Sequence, residues 1–348
     1  MNIFIDPAYT VYYQNELFNA ENKQLNRDDT LAPFIRMHSQ ASKKDLIVQT
    51  ADFLYANEDV NIAGDYYSFG LFHNLDSLLK KKNVCLKAFV VFEPPVVAPS
   101  LYKYLPILTE HFEAVYVHNT VGDGYSLQGV NEHKLKKLYW PQPYNNVIEN
   151  YWNRENRLNR IVVINGNHKP ASYKGELYSK RIEVMAQLNK ENWVDLYGRD
   201  WDKWWSRVSL WLPYWKNRSE LMSIYKGACS SKLEILSQYN FSLCFENMAM
   251  EGYITEKIFD GFYAGTVPIY LGAKDIQQWI PENTYIDFRN FKTISDLIQY
   301  LNGLSSKNLQ DYKENARIFL QSDEGLKYYN GVENSIGIND VIHGTIEL

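Results

Sequence analysis

The sequence predicts a two-domain α/β protein, each half a doubly wound parallel sheet, and three observations predict it. The chain has 348 residues, about twice the ~100–200 of a typical domain. Short apolar runs alternate with helical patterns, as strand–helix–strand units require. That alternation breaks once, over residues 139–160, where WPQPYNN gives way to an Asn- and Arg-rich stretch, and then restarts. We therefore expect domains at 1–155 and 156–348, facing each other across a cleft with a ligand at the carboxyl ends of the strands.

In the first half, residues 2–6 and 45–50 read as strands, and residues 72–82 put Leu75, Leu78 and Leu79 on one helical face. Residues 85–92 (CLKAFVVF) are nearly all apolar, as in a strand buried on both faces. A helix at 101–112 and a strand at 114–117 follow. Beyond the linker, strands are expected at 161–164, 193–197, 241–246 and 267–271, with helices at 179–189, 255–264, 294–301 and 308–320. The lysine clusters at 80–82 and 134–137 read as solvated helix ends. There is no internal repeat or low-complexity tract.

Composition removes several classes. With 36 basic and 41 acidic residues the net charge is −5, whereas a phosphate-tracking nucleic-acid binder carries a basic excess. No apolar run approaches the ~18–20 residues of a membrane span, and MNIFIDPAYT, with Asp6 and no basic residue, is not a signal peptide. Cys85, Cys229 and Cys244 are widely spaced and form neither a disulfide framework nor a CxxC site, which fits a reducing cytoplasm. Neither HExxH, a P-loop nor GxGxxG occurs, and no two of the seven histidines are spaced i, i+4, so no metal site is expected. Aromatic residues make up 15% of the chain; they stack on sugars or bases and equally fill cores.

The stretch FSLCFENMAMEGYITEKIFDGFYAGTVPIYLG carries the chemistry. A strand ends in Glu246 and Asn247, and a loop with Gly252 leads to Thr255, placed as a helix N-cap. The helix buries Ile258, Phe259, Phe262 and Tyr263 and stops at Gly265. Lys257 sits in the first turn, where the macrodipole disfavours a cation by about 0.3–1 kcal/mol. A bound phosphate reverses that sign, since free N–H groups, dipole and ammonium converge on one anion. Glu256 beside it suits ribose hydroxyls. The residues alone leave open a plain solvated Glu–Lys pair.

Phe245, Glu246, Asn247, Gly252, Tyr253, Thr255, Glu256, Lys257, Gly265, Val267, Pro268 and Gly272 match, in order and spacing, the signature of the α-1,3/4-fucosyltransferases, glycosyltransferase family 10, which this segment resembles. Upstream, FEPPVVAPSL resembles the family's E-x-P-x-x-x-P-x-L element, and Glu93 stands at the position of the catalytic base. SKRIEVMAQLN resembles the helix bearing a donor-binding arginine, here Arg181, and the turn NGNH after the strand at 161–164 makes Asn167 a further candidate. Leu271, the spacer Met248–Glu251 and Pro94 depart from the common pattern and bear on specificity.

The resemblance implies a GT-B fold of two Rossmann-like domains, the N-terminal one receiving the acceptor and the C-terminal one the nucleotide-sugar. It implies transfer of L-fucose from GDP-β-L-fucose to an oligosaccharide or lipid-linked glycan, with inversion. Glu93 is the expected catalytic residue; Arg181, Asn247, Tyr253, Glu256 and Lys257 bind donor, with Asn167, Glu246 and Thr255 as secondary candidates. No cofactor is required, with Mg or Mn at most an activator. Asp200-Trp201-Asp202 has the D-x-D form that holds a metal in the GT-A architecture, yet follows a strand–turn in a chain of paired α/β halves. The Trp-rich segment 201–215 reads as packing, an interfacial membrane patch or an acceptor platform. The expected location is the cytoplasm, with peripheral contact at the inner membrane. Two rivals stand: a relative using a UDP- or dTDP-linked 6-deoxy sugar, and a non-catalytic sugar- or nucleotide-binding module.

Overall fold

The computed structural model describes residues 1–70, 74–203 and 211–336. Packing divides the chain into a first unit, Met1–Pro143 rejoined by the segment from Lys327, and a second unit, Tyr144–Leu326. The division thus falls ahead of the expected boundary at 155, and the final helices belong with the first unit.

The first unit is built on a six-stranded sheet, ordered β2-β1-β3-β4-β5-β6, whose neighbouring strands all pair parallel. These strands are β1 (Asn2–Asp6), β2 (Ile47–Thr50), β3 (Ala63–Ser68), β4 (Asn83–Val90), β5 (Ala114–Val117) and β6 (Leu135–Lys137). Strand alternation feeds two cores. Ile3, Ile5 and Val90 face helix Ala32–Ser42 through Met37 and Ala41. Phe4, Phe89 and Val115 face Leu54, Leu105 and Leu108 on the other side. The lysine-rich 134–137 is corrected: Leu135–Lys137 is the edge strand β6, where lysines discourage a further strand from adding. The helix expected at 101–112 is two helices, Pro99–Lys103 and Leu105–His111, each opened by a proline at its start. Helix Gly331–Ile336 returns Val332, fully buried, to the first core.

The second unit carries a five-stranded parallel sheet, β11-β10-β9-β7-β8. Its strands are β7 (Leu158–Ile164), β8 (Val194–Tyr197), β9 (Tyr239–Phe245), β10 (Val267–Leu271) and β11 (Ile286–Asp287). The expected helices appear as Tyr178–Lys190, Glu256–Ala264, Ile294–Gly303 and Ser306–Gln321. Helix Leu212–Ile224 lies inside the stretch read as irregular. The division falls inside the expected linker 139–160, whose part from Tyr144 packs into the second unit. The Arg157 guanidinium donates to the carbonyls of Tyr151 (2.7 Å), Trp152 (3.1 Å) and Ala264 (2.8 Å), tying that stretch to the end of helix Glu256–Ala264. Asp195, almost enclosed, accepts from Arg160 across β7 and β8 and from the Tyr239 hydroxyl of β9.

Among the described residues no helix is long and apolar enough to cross a membrane.

Candidate active site

In the second unit β7 is flanked by β8 on one side and β9 on the other, so the chain reverses direction of winding between β7 and β9. Ligands of open α/β sheets sit at such a point, outside the carboxyl ends of the strands. The residues that follow those ends are Asn165 to His168 after β7, Glu246 and Asn247 after β9, and Gly272 after β10.

Glu246 is fully buried and has three donors. The Thr255 N–H (2.8 Å) and hydroxyl (2.8 Å to Oε2) reach it, as does the Lys257 ammonium (3.0 Å). Thr255 does occupy the N-cap of helix Glu256–Ala264, but its side chain makes no capping bond. It donates to Glu246 and accepts from Lys257 at 2.9 Å. Glu256, partly exposed, lies 3.5 Å from Lys257. The solvated-pair reading of Glu256 and Lys257 is therefore wrong for the lysine, whose side chain is 14% exposed and held by an enclosed carboxylate.

Electrostatics follow from this arrangement. Burial pushes the Glu246 carboxyl up, and the Lys257 charge opposes that push. Burial alone would lower Lys257, but Glu246 and Glu256 more than compensate and hold it charged. For Glu256, burial would raise the carboxyl; Lys257 and Lys232 override it and bring it to about 2. Two negative and one positive side chain thus share the start of this helix. Gly272 makes the room: a Cβ there would lie 2.5 Å from the Glu246 Cγ and 2.5 Å from the Tyr270 hydroxyl.

Arg181 comes from helix Tyr178–Lys190 and is 3% exposed. Its Nη2 donates to the carbonyls of Phe245 (2.6 Å) and Glu246 (3.0 Å), which fixes it against the end of β9. Its Nε is buried without a partner, as is Oδ1 of Asn167, 2% exposed on the β7 turn. An unpaired buried polar atom costs about 1–3 kcal/mol, and two on the turn and helix beside one switch point are what a missing polar ligand leaves behind. His168 is close enough to Arg181 to feel its charge. Asn247 is half-buried, and its carbonyl accepts from the Leu177 N–H at the head of the arginine's helix. Tyr253 is 1% exposed, its ring enclosed by protein, so the expected packing against a nucleotide has no open ring face here.

Asp200 pairs with Lys203, and Trp201 is buried, its indole N–H donating to the Asn165 carbonyl at 2.6 Å. Trp201 and Trp211 therefore pack, as one of the three readings of the Trp-rich segment had it, and Trp215 is exposed; Trp204, Trp205 and Arg207 lie outside the described residues. Among the described residues no group of three or more His, Cys, Asp or Glu is placed to hold a metal ion.

Glu93 belongs to the first unit. It follows β4 on a turn closed by bonds from the Val97 and Ala98 N–H groups to the Pro94 carbonyl. The carbonyl just before it, on Phe92, is bound by His118 Nε2 at 2.6 Å. His118 is 1% exposed and stacks near Trp140; burial, then Lys137, lowers its pKa to about 3, so the ring is neutral and Nε2 carries the donated proton. Tyr9 and Tyr102 both feel the Glu93 charge. Sequence reasoning missed His118 and Tyr9. A histidine directly after a buried strand, at the sheet's carboxyl edge, was the available signal.

The model of glycosyltransferase family 10 (fucosyltransferase), C-terminal part, matches residues 162–336, just over half of the chain and all of the second-unit site. The chain is 37% identical over 102 residues to the α-(1,3)-fucosyltransferase FucT of Helicobacter pylori, covering 28% of this chain and 21% of that protein. It is 33% identical over 131 residues to α-(1,3)-fucosyltransferase B of Drosophila melanogaster, covering 36% and 27%. The matched segments thus span about a quarter of those relatives' own length. Among solved structures, a glycosyltransferase from Rickettsia africae aligns with TM-score 0.57 at 12% identity over 99% of both chains. WaaG, a glycosyltransferase involved in lipopolysaccharide biosynthesis, aligns with TM-score 0.51 at 12% identity over 99% of this chain and 100% of that one. At such identities the likeness speaks for the fold alone, two Rossmann-like α/β units of the GT-B class. With the family model matching just over half of the chain and spanning the signature residues, the chain belongs to glycosyltransferase family 10, the fucosyltransferases.

Proposed function

We propose that the second unit binds GDP-β-L-fucose and that the protein transfers L-fucose, with inversion, to a hydroxyl of an oligosaccharide. The observation that carries this reading is the pair of buried, partnerless atoms, Arg181 Nε and Asn167 Oδ1, inside the segment matched by the fucosyltransferase family. A polar ligand there satisfies both. Arg181 and Lys257 offset the charge that builds on the departing diphosphate, Glu256 accepts from ribose hydroxyls, and Asn247 orients the donor. Glu246 and Thr255 hold Lys257 in place. On the first unit, Glu93 takes the proton of the attacking hydroxyl as the anomeric carbon passes through an oxocarbenium-like state.

Relatives named α-(1,3)-fucosyltransferases support α-1,3 linkage, while one in Arabidopsis thaliana, 41% identical over 69 residues, is named an α-(1,4)-fucosyltransferase. We favour a GlcNAc- or hexose-containing bacterial surface glycan, such as lipopolysaccharide O-antigen, made at the cytoplasmic face. A relative in Xenopus laevis, 40% identical over 75 residues, is a GDP-fucose protein O-fucosyltransferase 3, so a protein acceptor belongs in the screen.

Calorimetry with GDP, UDP and dTDP tests the donor, followed by GDP-fucose turnover with acceptor panels. Selective GDP binding and release of GDP from GDP-fucose are expected. Preference for UDP or dTDP would replace fucose with another sugar, and no binding of any nucleotide would leave a non-catalytic module. Glu93→Gln should keep GDP affinity and lose transfer by at least about a hundredfold. We expect EDTA to leave most of the activity, and Mg or Mn to raise it at most severalfold; abolition by EDTA would assign the diphosphate charge to a metal instead.

A further inference from the structure

The first unit has its own switch point, between β1 and β3, and a cavity of about 270 Å³ opens beside it. Beneath the cavity lies Asp6, the last residue of β1 and fully buried. Three phenols converge on its carboxylate: Tyr13 at 2.9 Å, Tyr55 at 2.6 Å and Tyr66 at 2.6 Å. A buried carboxylate needs donors, but one supplied by two aromatic residues that also line a cavity does more than stabilise. Tyr13 and Tyr55 spend their protons on Asp6; the Tyr55 oxygen also lies 2.9 Å from the Tyr66 hydroxyl and Tyr13 takes a bond from Asn74, so each phenol oxygen keeps one lone pair for a donor from the cavity.

The remaining lining narrows the ligand. Asn74 and Ser77 add amide and hydroxyl groups, and Leu54 and Leu78 give an apolar patch suited to the C–H face of a ring. Lys81 is at the rim, but its ammonium is turned to the carbonyls of Asn57 (2.5 Å) and Asp59 (3.3 Å). Burial and then the charges of Asp6 and Asp52 hold the Tyr13 hydroxyl well above its usual range, so the phenol stays protonated and the potential is negative. An anion is disfavoured and a neutral ligand rich in hydroxyl donors is favoured. The volume, just under the ~300 Å³ lower end of small-molecule sites, suits one sugar ring.

The loop that builds this wall also leads to Glu93. Residues 7–13 leave β1 at Asp6; Tyr9, 59% exposed, lies within reach of the Glu93 charge, and Tyr13 stands at the cavity. Tyr9 and Tyr13 flank the single 3-10 turn Thr10–Tyr12, about 8 Å of rise over four residue steps, a span for one to two sugar rings.

We propose that the cavity over Asp6 is a subsite for a neutral saccharide ring of the acceptor, whose hydroxyls donate to Tyr13 and Tyr55; this rests on the reading of the protein as an oligosaccharide transferase. The test uses the full chain carrying Glu93→Gln, with lactose, N-acetyllactosamine and chitobiose as probes in saturation-transfer NMR, and GDP affinity as the folding control. At least one probe should bind. Ser77→Trp, at an exposed lining position that should fold normally, should weaken it about tenfold or more, and Tyr55→Phe severalfold, both with GDP affinity retained. Binding by none of the probes, or equal binding by Ser77→Trp, overturns the subsite. The two readings fail separately. Saccharide binding lost in Ser77→Trp without any GDP-fucose turnover upholds the subsite and rejects the transferase; fucose transfer with an unchanged acceptor KM in Ser77→Trp does the reverse.

Discussion

Glu246 has no exposed surface, and the Lys257 ammonium is the cation bonded to it. Removing one partner of a buried ion pair costs about 3–5 kcal/mol because the other charge is stranded. Lys257→Met should therefore lower stability by about that much as well as weaken GDP binding. Adding Glu246→Gln should restore much of the stability without restoring the affinity, and a thermal melt beside a GDP titration separates the two losses. Gly272→Ala drives a methyl into the Glu246 Cγ, so it should cost at least about 1–3 kcal/mol and reduce donor affinity, read by the same pair of measurements. His118 sets a pH dependence. Its ring is neutral in the fold down to about pH 3 but takes a proton near 6.5 when unfolded. Between those values the unfolded chain binds the extra proton. Stability is complete above about pH 6.5 and falls by up to about 1.4 kcal/mol per unit as the pH drops. His118→Gln should flatten the slope of denaturation midpoint between about pH 6.5 and 5; an unchanged slope would mean the ring is already charged.

Some elements could be read from composition and others could not, for physical reasons. Helix Glu256–Ala264 has one apolar face, a threonine before it and Gly265 after it, and β10 is an unbroken apolar run; both announce themselves. Strand β3 does not, because AGDYYS puts Gly64 and Asp65 where an apolar alternation would be. The glycine is a packing need: a Cβ at Gly64 would sit 2.8 Å from the Asn2 carbonyl and from the Phe4 ring on β1. Helix Leu212–Ile224 buries Tyr214, Leu221 and Ile224 among tryptophan and charged residues, so no stripe appears. At the site, the signature located Glu246, Thr255 and Lys257, but their mutual bonds depend on how β9 meets the next helix and no spacing reports that. The division between the units, at Pro143 and Tyr144, falls inside the expected linker, but its Asn- and Arg-rich part, which resembles a loop, packs into the second unit. Its Arg157 clamps five carbonyls, those of Tyr151, Trp152, Arg154, Tyr239 and Ala264; burial lowers that guanidinium to about 10. Arg157→Ala should destabilise the second unit by about 3 kcal/mol, from charged bonds worth roughly 1.5–3 kcal/mol each partly replaced by water. Calorimetric unfolding checks it, and a loss under about 0.5 kcal/mol would return the stretch to a loose linker.

On the scale of the whole molecule, the two units are not consecutive lengths of chain. The segment from Lys327 rejoins the first unit, where Val332 is fully buried and Arg36 pairs with Glu333 at 3.4 Å and lies over the Tyr329 ring at 3.7 Å. Deleting residues 327–348 should lower the first unit's stability by several kcal/mol, since each buried large side chain contributes about 1.5–3. GDP binding, assigned to the second unit, should survive. Two separated transitions in calorimetry, with only one displaced, is the expected record; displacement of both would mean the units unfold together.

The return of the chain also orders events during synthesis. Strand β1 belongs to a unit whose last core residues are made after all of Tyr144–Leu326. At roughly 5–20 residues per second, the intervening stretch takes on the order of 10–40 s. For that interval the face around Ile3, Met37 and Val90 lacks Val332 and stays partly open to solvent. The second unit, begun later, has its full sequence first, and the nascent N-terminal half is the part that would benefit from a chaperone while it waits.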